Sequence, residues 1–164
     1  MNDNYAVING KKIELTEKQI KALGFEARKN PFERVANGNV YYRVTEYGNI
    51  NEFTEYSDLT DSNLYSNVNY FNDDSVAQQA ALHQLLYRKL LKFAYDNGYE
   101  DTEEWNGTNS HWAIRHNNYR NKFCSYHQDG YKARDVYFSS EEGAERAIKE
   151  VVEPFMKEHP EFVW

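Results

Sequence analysis

The chain has 164 residues, of which 40% are hydrophobic and 27% charged, and its formal net charge is −7. This length suits one ordinary domain with a real core and is hardly enough for two. A mean hydropathy of −0.91, with no apolar run near the ~18 residues of a membrane helix, argues against a membrane protein. The acidic balance argues against a general nucleic-acid binder with a basic face.

The N-terminal residues and the cysteine content predict a cytoplasmic protein. Residues 1–9 have neither a basic segment nor a long apolar segment, as a secretory signal would require. Cys124 is the single cysteine, so no internal disulfide can form.

The first 30 residues predict a β-hairpin followed by a short helix. Stretches 5–8 and 12–15 flank Asn9-Gly10, the dipeptide that best tolerates the two positive φ values of a type I′ turn. The segment 16–19, Thr-Glu-Lys-Gln, is a capping box that predicts the start of a helix. Asn30-Pro31 then predicts an interruption of regular secondary structure.

Residues 31–98 predict a first β-β-β-α unit. Strands rich in β-branched and aromatic residues are expected over 40–46, 50–57 and 65–71, with Phe53 pointing inward and a loop over 58–63. Apolar residues at helical spacing predict a long helix over 76–95. Asp73, Asp74 or Ser75 would cap this helix, and Asn97-Gly98 would end it.

Residues 99–164 predict a second unit of the same kind. Strands are expected over 111–115, 122–126 and 133–138, with a hairpin turn at 128–130. A capping box at 139–142 predicts the start of the last helix, and Pro154 should end or kink it near Glu153.

These elements predict an α+β fold in one compact domain. An N-terminal hairpin and short helix (1–30) precede two β-β-β-α units (31–98 and 99–164) that share a core. Both units run from an aromatic strand directly into a helix with an Asp or Ser cap, which suggests a duplication. We expect antiparallel sheet with the helices packed on one side.

No catalytic motif stands out, and the chain is predicted to be neither an enzyme nor a cofactor-binding protein. It has no Gly-x-Ser-x-Gly elbow and no P-loop, and Cys124 lies in a predicted strand, as a small buried hydrophobe would. Four residues of zinc-ligand type fall within 17 positions: His111, His116, Cys124 and His127. Only the last two have ligand-pair spacing, and on a strand they would face opposite sides, so no metal site is predicted.

The excess negative charge falls in one stretch. Residues 44–87 contain no Lys or Arg but seven acids, and the rest of the chain holds as many acids as bases. Two interpretations are open: a solvated surface that confers solubility, or a docking surface for a basic protein. In the second, carboxylates beside aromatic rings would bind arginines. The candidate residues are Glu46, Tyr47, Glu52, Glu55, Tyr56, Asp58 and Asp61, and the other two acids, Asp73 and Asp74, begin the long helix.

The matching part of the second unit is basic. Residues 111–138 carry Arg115, Arg120, Lys122, Lys132 and Arg134. The molecule is therefore predicted to be electrically lopsided.

The order of elements resembles a loose class of small proteins encoded by phages and prophages of low-GC Gram-positive bacteria. The resemblance covers most of the chain and lies in the Asn-Gly-Lys-Lys hairpin, the Thr-Glu-Lys-Gln helix and the segments ERVANGNVYYRVTEYGNI, NYFNDDSVAQQAAL and VYFSSEEGAERAI. Some small acidic phage proteins act against host defence. Anti-CRISPR proteins, for example, often bind the basic nucleic-acid site of an effector nuclease.

The resemblance implies a non-enzymatic inhibitor of a host defence protein, such as a type II CRISPR effector nuclease. The partner would then be a protein with a basic surface, with no direct nucleic-acid contact and no membrane. Two alternatives are open: a phage accessory or assembly protein, and a metal-dependent enzyme acting on nucleic acid.

Overall fold

The computed structural model describes residues 5–23, 30–100 and 105–164, and it confirms a mixed α+β architecture. Its strands form three separate two-stranded antiparallel sheets rather than one shared sheet. The strands are β1 (Tyr5–Ile8), β2 (Lys11–Glu14), β3 (Val40–Val44), β4 (Ile50–Thr54), β5 (His111–Asn117) and β6 (Lys122–Gln128). The helices are α1 (Glu17–Ala22), α2 (Leu59–Ser66), α3 (Asp74–Asp96), α4 (Glu141–Ala147) and α5 (Glu153–Glu158), with a π-helical segment, Ile148–Val152, joining the last two.

The N-terminal hairpin and its helix cap are confirmed. Strands β1 and β2 pair antiparallel around Asn9 and Gly10, which both have positive φ values, 52° and 77°. The Thr16 N–H donates to Oε1 of Gln19 over 2.9 Å, and the Gln19 N–H donates back to the Thr16 hydroxyl over 3.4 Å. These are the two hydrogen bonds of a capping box.

The predicted third strand of the first unit, 65–71, is wrong, and so is the loop over 58–63. Residues 59–66 form α2, whose N-cap Asp58 exchanges hydrogen bonds with Asp61 in a capping box. The aromatic content of this segment favoured a strand, but the Asp-x-x-Asp cap prevails. Only Phe71 pairs with β3, through two backbone hydrogen bonds to Tyr42 of 2.7 and 2.9 Å.

The hairpin β3–β4 is covered on both faces, whereas helices were predicted on one side. Val44 packs with Phe71, Ala77 and Ala81, of which the two alanines belong to α3. The opposite face carries Tyr41, whose hydroxyl group is hydrogen-bonded to Asp61 of α2. Strand β4 pairs only with β3 in the described part of the chain, so its outer edge is open.

The long helix predicted over 76–95 is confirmed and extends slightly beyond both predicted ends. Helix α3 begins after Asp73, whose side chain accepts from the N–H groups of Ser75 and Val76, and it ends at Asn97 and Gly98. The helix contributes to both hydrophobic clusters of the described chain. The larger cluster joins it to β5, to residues 136–138 and to the C-terminal helices.

The second half also has two paired strands rather than three. Strands β5 and β6 are confirmed, but residues 133–138 are not a strand, and the turn at 128–130 joins no hairpin. Only Phe138 bridges to Trp112, over 3.1 and 2.7 Å. The Ala133 N–H donates to the Tyr137 hydroxyl over 2.8 Å, so a side chain rather than a neighbouring strand satisfies this backbone group.

The last helix starts one residue later and runs further than predicted. Its N-cap is Ser140, which accepts from the Gly143 N–H over 3.1 Å. Pro154 does not end it, because the π-helical segment precedes the proline and the Glu153 N–H reaches back to the carbonyl of Ile148. This wider turn relieves the clash between a proline ring and the carbonyl four residues earlier.

The two halves share one spacing. The bridging residue is Phe71 in the first half and Phe138 in the second, and the N-cap follows two residues later as Asp73 or Ser140. The duplication itself stays a prediction. Within the described ranges, no helix has the length and apolar character needed to cross a membrane.

Candidate protein-binding surface

The seven predicted binding residues divide into an exposed and a buried group. Glu55 and Asp61 are only 1% and 4% exposed, so they do not lie on the surface and cannot contact a partner directly. The other five are exposed, and Tyr47 and Tyr56 present 83% and 67% of their area to solvent. We call these five the acidic–aromatic surface: Glu46, Tyr47, Glu52, Tyr56 and Asp58.

Glu55 follows β4 and is paired inside the fold. The Arg34 guanidinium donates to both of its carboxylate oxygens, over 3.1 and 2.9 Å, and the Tyr70 hydroxyl donates to Oε2 over 2.7 Å. The Ser57 N–H donates to Oε1 over 2.7 Å. A buried carboxylate with four donors has the compensation that its loss of hydration requires.

Asp61 lies in the first turn of α2 and is also fully bonded. The Tyr41 hydroxyl donates to its Oδ1 over 2.7 Å, and the Tyr56 N–H donates to its Oδ2 over 2.8 Å. The Asp58 N–H donates to the same Oδ2 over 3.3 Å. Asp61 thus ties the start of α2 to the loop before it.

Two stacked tyrosines join these carboxylates into one network. The ring centroids of Tyr41 and Tyr70 lie 4.0 Å apart at an interplanar angle of 12°. The Tyr41 hydroxyl donates to Asp61, and the Tyr70 hydroxyl donates to Glu55. Tyr65 meets Tyr70 edge-on at 5.5 Å. We call the set the tyrosine–carboxylate network: Arg34, Tyr41, Glu55, Asp61 and Tyr70.

The pKa values in the network favour charged carboxylates and neutral tyrosines. The Arg34 hydrogen bonds lower the pKa of Glu55, and this outweighs the effect of burial. Burial acts to raise the pKa of Asp61, but the bonds from Tyr41 and from the backbone of Tyr56 and Asp58 lower it overall. Burial, together with the bond to Glu55, raises the pKa of Tyr70 to about 12.

The network holds the loop that presents part of the acidic–aromatic surface. Both buried carboxylates accept backbone N–H groups from residues 56–58, next to the side chains that face solvent. Ser57 has a φ of 60°, a conformation that few non-glycine residues adopt unless their surroundings fix it. Glu55 and Asp61 therefore position Tyr56 and Asp58.

The turn between β3 and β4 presents Glu46 and Tyr47. The Gly48 N–H donates to the carbonyl of Thr45 over 3.0 Å, and Gly48 has the positive φ, 83°, that this turn requires. The Asn49 N–H donates to the Thr45 hydroxyl over 3.1 Å, which closes the turn further. The most exposed ring of the surface therefore sits on a closed turn.

The acids of the surface form no direct ion pair in the described chain, although the Arg88 guanidinium lies next to Gly48, in the same turn as Glu46. In the described part of the chain, none of Glu46, Glu52 and Asp58 forms an ion pair. Two arginines of the first half are used internally: Arg34 is bonded to Glu55, and Arg43 lies over the Phe53 ring at 4.3 Å. The carboxylates of this surface are therefore not directly paired with a cation in the described part of the chain.

The four residues of zinc-ligand type do not meet. The β5–β6 register places His111 and Cys124 on one face and His116 and His127 on the other. Within each face the two positions are about 13 Å apart along the strands. In the described ranges, no three His, Cys, Asp or Glu residues lie together as metal ligands would.

Comparison with other proteins gives no guide to this surface. No protein-family model matches the chain, and neither curated proteins nor solved structures give a significant match.

Proposed function

We propose that this protein is a non-enzymatic inhibitor that binds a basic partner protein through the acidic–aromatic surface. The observation that supports this is the combination of two highly exposed tyrosine rings, Tyr47 and Tyr56, with three exposed acids that form no ion pair in the described chain. Tyrosine is enriched among the residues that dominate binding energy at protein interfaces.

The chemistry of the surface fits arginine-rich partners. A guanidinium stacks on a tyrosine ring and donates two parallel hydrogen bonds to a carboxylate. Leu59, 76% exposed directly after Asp58, adds an apolar contact beside these groups. Unpaired negative charge also speeds association with a positive surface.

The rigid support under the surface favours binding. The tyrosine–carboxylate network fixes residues 56–58 in the free protein, so less conformational freedom is lost when a partner binds. A surface that served only solubility would not need this support.

We further propose that the partner is a host defence nuclease, with a type II CRISPR effector as the first candidate. The resemblance to small phage-encoded proteins supports this choice. The nucleic-acid site of such a nuclease presents Arg and Lys side chains that bind phosphates, and a surface of carboxylates and rings is complementary to it.

The test is target cleavage by purified effector and guide in the presence of the protein. We expect inhibition by the native chain and roughly tenfold or greater weakening by the double variant Glu46→Lys/Glu52→Lys, since both acids would repel a basic partner. Asp58 is left unchanged because it caps α2.

The matched control is Glu145→Lys/Glu153→Lys, which makes the same charge change at exposed positions of the C-terminal helices. It should inhibit as the native chain does, and both double variants should melt at nearly the native temperature. Equal loss in the two variants would reduce the effect to net charge. Unimpaired cleavage across several effectors would refute the inhibitor proposal.

A further inference from the structure

A groove of about 890 Å³ opens between α3, β5 and the C-terminal residues. It lies between α3 of the first half and several segments of the second half, and none of its lining residues belongs to the acidic–aromatic surface. Its volume falls in the range of about 300–1,000 Å³ that is typical of small-molecule sites. Nothing in the proposed function accounts for it.

The groove is positively charged in a protein whose net charge is −7. Three arginines line it, Arg88 from α3, Arg115 from β5 and Arg134 from the segment before Phe138, against a single carboxylate, Asp135. In the described part of the chain none of the three arginines forms an ion pair. Guanidinium groups without carboxylate partners remain available to an anion.

The other walls of the groove are apolar. Leu86, Leu90, Phe138 and Phe162 contribute to them but are buried in the main hydrophobic cluster. The accessible apolar surface comes from the half-buried Ile114 of β5 and from the exposed rings of Tyr87 and Trp164. A ligand that fills the groove must therefore carry both an apolar or planar body and negative charge. A bare anion would satisfy the arginines and leave the apolar wall exposed to water.

Asp135 lies among the arginines and is held in place. The Tyr126 hydroxyl donates to its Oδ2 over 2.7 Å, and Arg115 lies over the Tyr126 ring at 5.3 Å. The remaining lone pairs of this carboxylate can accept hydrogen bonds from ligand hydroxyl groups.

We propose that this groove binds a nucleotide. The base lies against the apolar wall, the phosphates pair with Arg88, Arg115 and Arg134, and the ribose hydroxyls donate to Asp135. Planar guanidinium forks match phosphate oxygens in pairs, and aromatic side chains provide a surface for a base. No lining residue of this site belongs to the acidic–aromatic surface, and ADP binding is measured without a protein partner, so its test does not depend on the proposed inhibitor function.

The test compares three probes by calorimetric titration of the full chain: ADP, adenosine and inorganic pyrophosphate. We expect ADP to bind roughly tenfold or more tightly than either adenosine or pyrophosphate, because only ADP uses both the arginines and the apolar wall. The variant Arg88→Gln/Arg134→Gln should weaken ADP binding by about tenfold or more. Both positions are exposed and so should tolerate the change.

The matched control is Arg120→Gln, an exposed arginine in the β5–β6 turn that does not line the groove, and it should bind ADP as the native chain does. A second variant, Arg88→Lys/Arg134→Lys, keeps the charge and loses the planar fork, so its affinity should fall between those of the native chain and the Gln variant.

Several results would overturn the proposal. They are the absence of ADP binding at millimolar concentration, pyrophosphate binding as tightly as ADP, or equal losses in the Arg120 and groove variants. Binding of hexaglutamate in place of ADP would also overturn it, by identifying a site for acidic peptide.

Discussion

The hairpins β3–β4 and β5–β6 have the same junctions but opposite electrostatics. One phenylalanine pairs with each hairpin through a β-bridge, and a helix N-cap lies two residues after that phenylalanine. The first half buries two carboxylates, Glu55 and Asp61, and exposes further acids. The second half instead supplies two of the three arginines, Arg115 and Arg134, that line the groove beside α3. Similar junction residues thus accompany similar backbone paths, while a few side chains between the junctions determine the charge of each half.

The two halves also differ in how their buried polar atoms are satisfied. In the first, Glu55 and Asp61 each accept several hydrogen bonds. In the second, His111 is 3% exposed and stacks on Trp105 at 3.8 Å, yet His111 Nε2 and Trp105 Nε1 have no hydrogen-bond partner in the described chain. Buried carboxylates with several donors are therefore found in the first half, whereas the His111–Trp105 ring pair is held by packing. The first half also has one buried polar atom, Arg43 Nε, without a hydrogen-bond partner in the described chain.

Among substitutions that test the hydrogen-bonded network of the first half, Glu55→Ala should cause the largest loss of stability. The substitution leaves the buried Tyr70 hydroxyl and the Ser57 N–H without their acceptor, so the free energy of unfolding should fall by about 3 kcal/mol. Chemical denaturation measures this. The control Glu52→Ala, at an exposed position of the preceding strand β4, should change stability by less than about 0.5 kcal/mol. Similar values for both would show that the network does not stabilise the first half.

A smaller effect is expected on acidification. The folded-state pKa values of Glu55 and Asp61 are lowered. Their stabilising contribution is therefore complete above the unfolded-state pKa values of about 4 and is lost as the pH falls through the folded-state values. Unfolding measured from neutral pH to about pH 2 should show this loss. In Glu55→Gln the dependence should be shallower. An unchanged slope would place the acid sensitivity elsewhere, for example at Asp73, whose pKa is also lowered, by its bonds to Ser75 and Val76.

The smallest expected change in unfolding free energy comes from removing one tyrosine hydroxyl in each half. Tyr41→Phe removes the donor to buried Asp61 and should cost about 1.5 kcal/mol, whereas Tyr126→Phe removes the donor to exposed Asp135 and should cost about 0.5 kcal/mol. Thermal or denaturant unfolding of the two variants gives the comparison. A larger loss for Tyr126→Phe would mean that directional bonding is not concentrated in the first half.

Much of the fold was predictable because its signals are local. Asn9-Gly10 specifies its turn, the Thr16 cap specifies a helix start, and the apolar spacing of α3 specifies a long buried face. Both third strands were mispredicted because aromatic residues favour strands in isolation, while a tertiary bridge and local side-chain bonds decide the real conformation. The path of the last helix through Pro154 depended on a π-helical turn that no residue pattern announces.

The sequence predicted where the acidic surface lies but not which of its acids are exposed. Composition identified the acidic stretch, but it does not distinguish an exposed acid from one paired inside. Strand alternation carried a usable signal, since Phe53 was expected to point inward and Glu55 lies two residues further on the same side. The partner of Glu55 is Arg34, 21 residues away, and only the fold brings them together. The groove was not predictable, because its arginines come from three separate segments.

The open outer edge of β4 has a consequence for self-association. Tyr42 uses its backbone groups to pair with Phe71, so its cross-strand partner, Glu52, directs its own N–H and C=O away from β3. Such unpaired groups are a template on which a strand from another molecule can add, and a charged side chain at the edge opposes that addition. The charge of Glu52 therefore opposes aggregation at this edge, and the residue also belongs to the surface proposed for binding. A lysine there reverses the charge but still opposes strand addition, whereas an apolar residue would not.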